Sequence, residues 1–521
     1  MAGHMVLESK GRLVESRNGV SVYEGIPYFF YESPLPVLSE SDARISDALS
    51  MAVTGKIGVF SLDREGVVLS QKFLDGFSQK IVAEINVQAA LDTIPSQELL
   101  QSLSVSLSAL LAEFVPTVSN PAAVGGRVIE DSVGFGVLSG LMADQQLEEV
   151  MVNGVDRPVF VFHRTFGMAK TNVVFSNPVL FGALVRRIGR TVGKPFDENF
   201  PLLDARLPDG SRVNATFSSV SPKGATLTVR KFLRANFSVC DLVSRATLSS
   251  EAAAFLWVMA DGLGVQPMNM ILTGGTGSGK TTLLGCLASF SPISKRIVSI
   301  EDTLEIDLGE RSNWVQLESR PRTRSTDAVT MEELLQNSLR MRPDRLVVGE
   351  VRGAEAQTLF VAMDTGHDGT LGTVHANSAK ELMLRLKSHP MNVPESMLGL
   401  LDLVVVSQRL FLPQKGLVRR VTQIAEVSSM EEKPLLSTLF EWNRKTDLLS
   451  RTDTPSHVIQ VLSETSSLSS TEIRREMSVR KELIEWMLRQ KISAYSDVQS
   501  VVQRYYLDPE SVLSEALGKK K

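Results

Sequence analysis

Cysteine is nearly absent from this 521-residue chain: Cys240 and Cys286 are the only two, and they stand far apart. Two thiols exclude a disulfide framework and any four-cysteine zinc module, and they suit a reducing compartment; each reads as a small buried apolar residue. Long hydrophobic runs are missing too. The longest, such as LLDLVVV at 400–406, fall well short of the roughly 20 residues that cross a bilayer. No positively charged, apolar leader opens the chain, so the expectation is an unsecreted protein. Excess positive charge is also lacking: the formal net charge is −4, which removes any global electrostatic reason to bind nucleic acid. Aromatics are sparse at 6%, yet 43% hydrophobic and 22% charged residues describe a globular chain rather than a disordered or fibrous one. A chain of this length exceeds one hydrophobic core, and three or four domains are expected.

Four regions can be drawn. Residues 6–120 mix short apolar segments with breaks such as SPLPV (33–37) and TIPS (93–96); they form a variable N-terminal domain of unspecified fold, expected to choose a partner. Residues 121–236 read as strands and turns around one helix, through EEVMVNG, VFVFH, FGALVRRIG, LPDGSRVNATF and ATLTVRKF. LPDG is a turn signal, and VNATF alternates as a half-buried strand does. Residues 237–450 open with SSEAAAFLWVMADGLG, a helix with a serine start and a glycine stop. Apolar runs then alternate with helical stretches: MNMILT, RIVSIE, RLVVGE, TLGTVH and LDLVVV. That alternation predicts an α/β domain with a largely parallel sheet. Residues 451–521 turn helical. LSETSSLSST (462–471) is serine-rich enough for a linker, Ser469 and Glu472 have capping-box spacing, and Asp508 with Pro509 opens a last helix.

GGTGSGKT at 274–281 fits G-x-x-x-x-G-K-[ST], and it follows an apolar strand and precedes a helix, as the motif requires. Gly274, Gly275, Thr276, Gly277, Ser278 and Gly279 would curl so that backbone N–H groups face a polyphosphate at a helix N-terminus. Lys280 would reach the β- and γ-phosphates of ATP, the Thr281 hydroxyl would ligate Mg²⁺, and Thr282 follows in the first turn. Such a loop says nucleotide, not purpose.

Glu350 ends the run RLVVGE, well downstream of Lys280, with Gly349 before it where many such enzymes carry an aspartate. One acid instead of two implies that metal ligation through this strand is indirect, through water, and leaves Glu350 as a general base. Glu301 and Asp302, in SIEDTLEIDL (299–308), would complete the metal's water shell or position the attacking water. His367 and His375 lie eight apart across glycines, without a cysteine or third histidine nearby, which argues against zinc. His375, ending TLGTVH, is placed to hydrogen-bond the γ-phosphate or Glu350 and so to report hydrolysis.

Taken together, GGTGSGKTT, SIEDTLEI, VVGEVRG and GHDGTLGTVHA, in this order and with DARLPDGSRVNA and LTVRKF upstream, resemble the secretion ATPase superfamily of type II and type IV secretion, pili and the archaellum. MVNGVDRPVFVFHRTFG and the tail RYYLDPE look most like its archaeal branch. The resemblance implies a homohexameric ring in which ATP sits between a PAS-like N-terminal domain and a RecA-like C-terminal domain. It also implies an integral membrane platform as partner and a place at the cytoplasmic face of the membrane. It assigns Arg206 and Arg212, and Arg230 with them, to the nucleotide phosphates, and matches Arg340 to a recurrent arginine. The alternative is a RecA-like nucleic-acid translocase, for which RPRTR (320–324) is a local basic cluster without interleaved aromatics. A nucleotide-gated scaffold without turnover is the third reading, opposed by Glu350 and the histidine box.

Overall fold

The computed structural model describes residues 10–35, 38–54, 71–85, 97–232, 237–320, 327–413, 415–430 and 433–518. TIPS, the end of SPLPV and residues 321–324 of RPRTR lie outside them. Contacts divide the chain into two units, Met1–Leu233 and Arg234–Lys521.

The first unit is built on nine strands: β1 (Leu13–Arg17), β2 (Val20–Tyr23), β3 (Phe29–Glu32), β4 (Leu147–Val152), β5 (Pro158–His163), β6 (Gly167–Val174), β7 (Leu202–Arg206), β8 (Arg212–Thr216) and β9 (Thr226–Arg230). Their order is β1-β2-β3-β6-β5-β4-β9-β8-β7. Every neighbouring pair is antiparallel except β3 and β6. Alternation is plain in β5, where Val159, Val161 and His163 are buried and the residues between them are not, as a sheet covered on one face demands. The cover is helix Pro178–Thr191, capped by Asn177 and placing Phe181, Leu184, Val185 and Ile188 at helical spacing over the core. Val22 of β2 and Tyr31 of β3 join that core, so the sheet runs across the division expected near residue 120. The 121–236 region also holds more than the single helix expected. Helix Pro121–Val133 packs Val124, Val128 and Ile129 with Leu103, Leu107 and Leu111 of helix Gln97–Phe114. A Cβ on its Gly125 would stand 2.5 Å from Ser108 Oγ; glycine there permits close helix approach.

The second unit carries β10 (Met270–Thr273), β11 (Ile297–Glu301), β12 (Trp314–Glu318), β13 (Arg345–Val351), β14 (Leu371–Val374), β15 (Leu403–Leu412), β16 (Gly416–Met430), β17 (Lys433–Asn443) and β18 (Leu448–Arg451). The order is β12-β11-β13-β14-β10-β15-β16-β17-β18. The first six in that order are parallel, as the apolar runs predict. β16, β17 and β18 extend the sheet as an antiparallel meander that the sequence did not announce. β10, β11 and β14 are buried at every position, the mark of a sheet covered on both faces. β13 is buried throughout except at Glu350.

The C-terminal helices complete this core instead of standing apart. Helix Ser470–Arg489 has the expected capping box of Ser469 and Glu472, and the last helix opens at Asp508 and Pro509. The expected linker at 462–471 is a correction: its first half belongs to helix His457–Ser466, anchored by the fully buried Leu462 and closed by a left-handed Ser467. Buried Arg480 pairs with Asp261 at 2.8 Å and lies over the Trp257 ring, which ties the tail to helix Ser250–Asp261. Cys240 and Cys286 are both buried free thiols, and burial pushes the Cys240 thiol up to about 12.

Candidate nucleotide-binding site

The glycine loop spans the turn from β10 to helix Lys280–Ser289. Gly277 and Gly279 take φ of 70° and 89°, a left-handed backbone that side chains resist. A side chain at Gly274 would run into the Ser407 carbonyl and the Ser278 hydroxyl. Ser407, on β15, also donates its hydroxyl to Ser278 O at 2.7 Å, so the neighbouring strand holds the loop's shape. Lys280 Nζ donates to Gly274 O at 3.0 Å and Gly275 O at 3.1 Å; the ammonium turns onto the carbonyls of its own loop. Ser278 Oγ is buried without a hydrogen-bond partner among the described residues. Thr281 and Thr282 sit half-buried in the helix's first turn, and Thr276 is exposed.

Glu350 stands near the C-terminal end of β13 and accepts a 2.6 Å hydrogen bond from Arg352. Burial would raise its carboxyl, but the Arg352 hydrogen bond and the charges of Arg352, Lys280 and His375 outweigh it and hold the group below the usual range. Glu301 closes the adjacent β11. It is 2% exposed, and one oxygen accepts from Glu305 N and Ile306 N at 2.7 and 2.9 Å while the other has no partner among the described residues. Burial, only partly offset by those hydrogen bonds, pushes its carboxyl up to about 7. Gly349 now has a physical reason: a Cβ there would lie 2.8 Å from Glu301 Cγ. The space that a residue-349 side chain would take is given to the acid of the neighbouring strand. Asp302 is exposed and accepts from Ser319 Oγ at 2.7 Å.

His375 follows β14 directly and lies 3.2 Å, through Nε2, from Thr276 Oγ1 of the loop. Its carbonyl is held by Arg385, and the next carbonyl, Ala376 O, accepts from Thr273 Oγ1 at 2.8 Å. His367 precedes β14, at the strand's other end, where its carbonyl accepts from Thr370. The two histidines therefore do not form a pair.

Residues 135–464 match the family of type II/IV secretion system proteins. The chain belongs to that family. An uncharacterised protein of Methanocaldococcus jannaschii is 32% identical over 384 residues, covering 72% of this chain and 68% of that one. Another uncharacterised protein of the same organism is 48% identical over 240 residues, covering 46% of this chain but only 33% of its own length; this chain spans about a third of that relative. Among solved structures, the VirB11 ATPase of the Brucella suis type IV secretion system, in complex with sulphate, is 24% identical with a TM-score of 0.28, covering 55% of this chain and 91% of that one.

The arginines of the first unit have an order that spacing hides. Arg206 of β7 pairs in register with Arg212 of β8, and Arg212 with Arg230 of β9. Paired residues share a face, so three guanidinium groups form one row across three strands, with Glu149 of β4 next in register. Like charges set opposite one another are destabilising unless something compensates them. Arg340 lies in an exposed turn after helix Met331–Ser338, its N–H on Asn337 O.

Four residues that sequence reasoning passed over shape the loop or its acid: Ser407, Arg352, Arg409 and Arg419. Arg352 was legible, two positions beyond Glu350 in VVGEVRG. The other three come from β15 and β16, which carry no phosphate motif, and only strand pairing brings them to the loop.

Proposed function

We propose that this secretion-family chain is a Mg²⁺-dependent ATPase acting as a homohexameric motor, peripheral to the cytoplasmic face of a membrane, on an integral platform protein of a pilus, an archaellum or a secretion system. The reading is carried by one observation: Lys280, His375 and Glu350 converge on a glycine loop at the C-terminal ends of adjacent parallel strands, where α/β proteins of this kind take ligands.

The loop's chemistry fits a polyphosphate. Its glycines admit the backbone bend, and the Lys280 contacts to Gly274 O and Gly275 O are ones that phosphate oxygens can replace. Magnesium would neutralise phosphate charge, held by Thr281 directly and by Glu301, Asp302 and Glu350 through water. Glu350, ionised at neutral pH, orients and deprotonates the attacking water once Arg352 releases it; loss of that partner removes the main influence lowering its basicity. Glu301, with an unpartnered oxygen in a dry setting, positions that water. His375 couples the loop, through Thr276, to the segment after β14. The guanidinium groups of Arg206, Arg212 and Arg230 carry the fixed charge and the bidentate geometry that suit phosphate.

The test is phosphate release. Lys280→Ala is expected to lower turnover at least about 100-fold with loss of ATP affinity; normal hydrolysis by this variant would end the nucleotide reading.

A further inference from the structure

The glycine loop is flanked by different chemistry on its two sides. β10 lies between β14 and β15. Beyond one side stand His375 and, on β13, Glu350. On the other side stand Arg409 of β15 and Arg419 of β16, directly opposite each other in register. Both close on the loop. Arg419 Nε donates to Gly277 O at 2.9 Å, and its Cδ lies 3.3 Å from where a Cβ on Gly279 would be. An Arg409 guanidinium nitrogen lies 2.9 Å from the corresponding point on Gly277. The pair is mounted on a rigid support. Arg420, the next residue on β16, is buried and held by Asp447 through bonds of 2.7 and 2.9 Å, and Asp447 also accepts from Trp442 at 3.0 Å.

If the nucleotide reading above holds, the hydrolytic groups on β13 and after β14 place the terminal phosphate on their side. An extended triphosphate must then leave the loop toward β15 and β16. We propose that Arg409 and Arg419 serve the α-phosphate and nucleoside end of the bound nucleotide. Arg409, exposed at the loop's edge, offers its charge to the α-phosphate and its plane to the base. Arg419 is a positioning residue that fixes the Gly277 peptide so that the loop's N–H groups stay turned inward.

An end of the ligand shared by ATP and ADP gives a distinctive signature, because such contacts are equal in ground and transition states. The full chain is titrated calorimetrically with ADP and with a non-hydrolysable ATP analogue, and its turnover is measured. Arg409→Ala is expected to weaken both nucleotides by the same factor, about 10-fold, with KM raised, kcat within about twofold and an unchanged melting temperature. Arg419→Ala behaves alike, and Arg419→Lys, which keeps a donor for Gly277 O, recovers most of the affinity. Unchanged ADP affinity in Arg409→Ala overturns the assignment, and so does a loss confined to the triphosphate or one seen in kcat alone. Should the unaltered chain bind neither nucleotide, the reading of the loop itself fails and this assignment goes with it.

Discussion

The two nine-stranded sheets of this protein surround their charged residues differently. In the second unit β10, β11 and β14 are buried on both faces, so the titratable groups gather where the strands end; Glu301, Glu350 and His375 all stand there. In the first unit the antiparallel strands keep a face outside the core, and Arg206, Arg212 and Arg230, each the terminal residue of its strand, line up in register across the last three strands at one edge of the sheet. Chemistry among buried parallel strands is individual and sharply positioned, because each group depends on its neighbours' close fit. Face chemistry is collective, because adjacent strands repeat the same level. Loss of one group should therefore cost more in the second sheet than in the first.

The heaviest expected blow falls on a strand end. Glu350→Gln should retain ATP yet slow single-turnover phosphate release on the order of 1,000-fold; a near-normal rate would move the base elsewhere and erase the contrast. Next comes the acid packed beside it. Burial raises the Glu301 carboxyl from 4.5 to about 7, so the folded state keeps a proton that the unfolded chain releases. That contribution is fully present below pH 4.5 and lost as pH rises to about 7. Relative to Glu301→Gln, the unaltered protein should lose about 3 kcal/mol across that window and nothing more above it. Denaturation midpoints of the two proteins at pH 5 and pH 8 measure the difference, and parallel pH dependence would contradict it.

Gly349→Asp probes the same neighbourhood sterically. With Glu301 Cγ 2.8 Å from the added Cβ, overpacking should destabilise by about 2 kcal/mol, seen as a lower melting temperature; a stable variant would mean that Glu301 can yield. The smallest effect is expected on the arginine row. Arg212→Ala should lower hydrolysis about 10-fold while leaving thermal stability unchanged or slightly raised, since a like-charge neighbour is removed. A marked drop in melting temperature would instead make Arg212 a structural residue of the first sheet.

Much of the second unit could be read in advance because its signals are local. A strand buried on both faces is a continuous apolar run, and a phosphate loop is a contiguous motif, so β10, β11, β13, β14 and their terminal residues were legible. The meander β16–β18 was not: its long strands alternate only in part, and their place is set by edge pairing with β15. β1–β3 also escaped, since the strand that joins them to the rest of the sheet, β6, lies far downstream, with Phe29 of β3 set against Ala169. The supposed serine-rich linker failed for a related reason. Composition favoured a loop, but one buried leucine anchored a helix to the core.

What the amino-acid order determined by itself was a chemistry of contact at short range: glycines that permit a phosphate loop, a lysine at its end, and single acids and a histidine closing apolar strands. Only the tertiary structure decided which of these groups share space. Gly349 is small because Glu301, from a strand much earlier in the chain, lies against it. Three arginines become one row because β7, β8 and β9, separated in sequence by turns, pair at the same level, and Arg409 and Arg419 meet the loop through a sheet whose order the chain does not spell out. Side-chain identity is written residue by residue, whereas proximity across a sheet depends on strand order and register, which are settled only when the whole core closes.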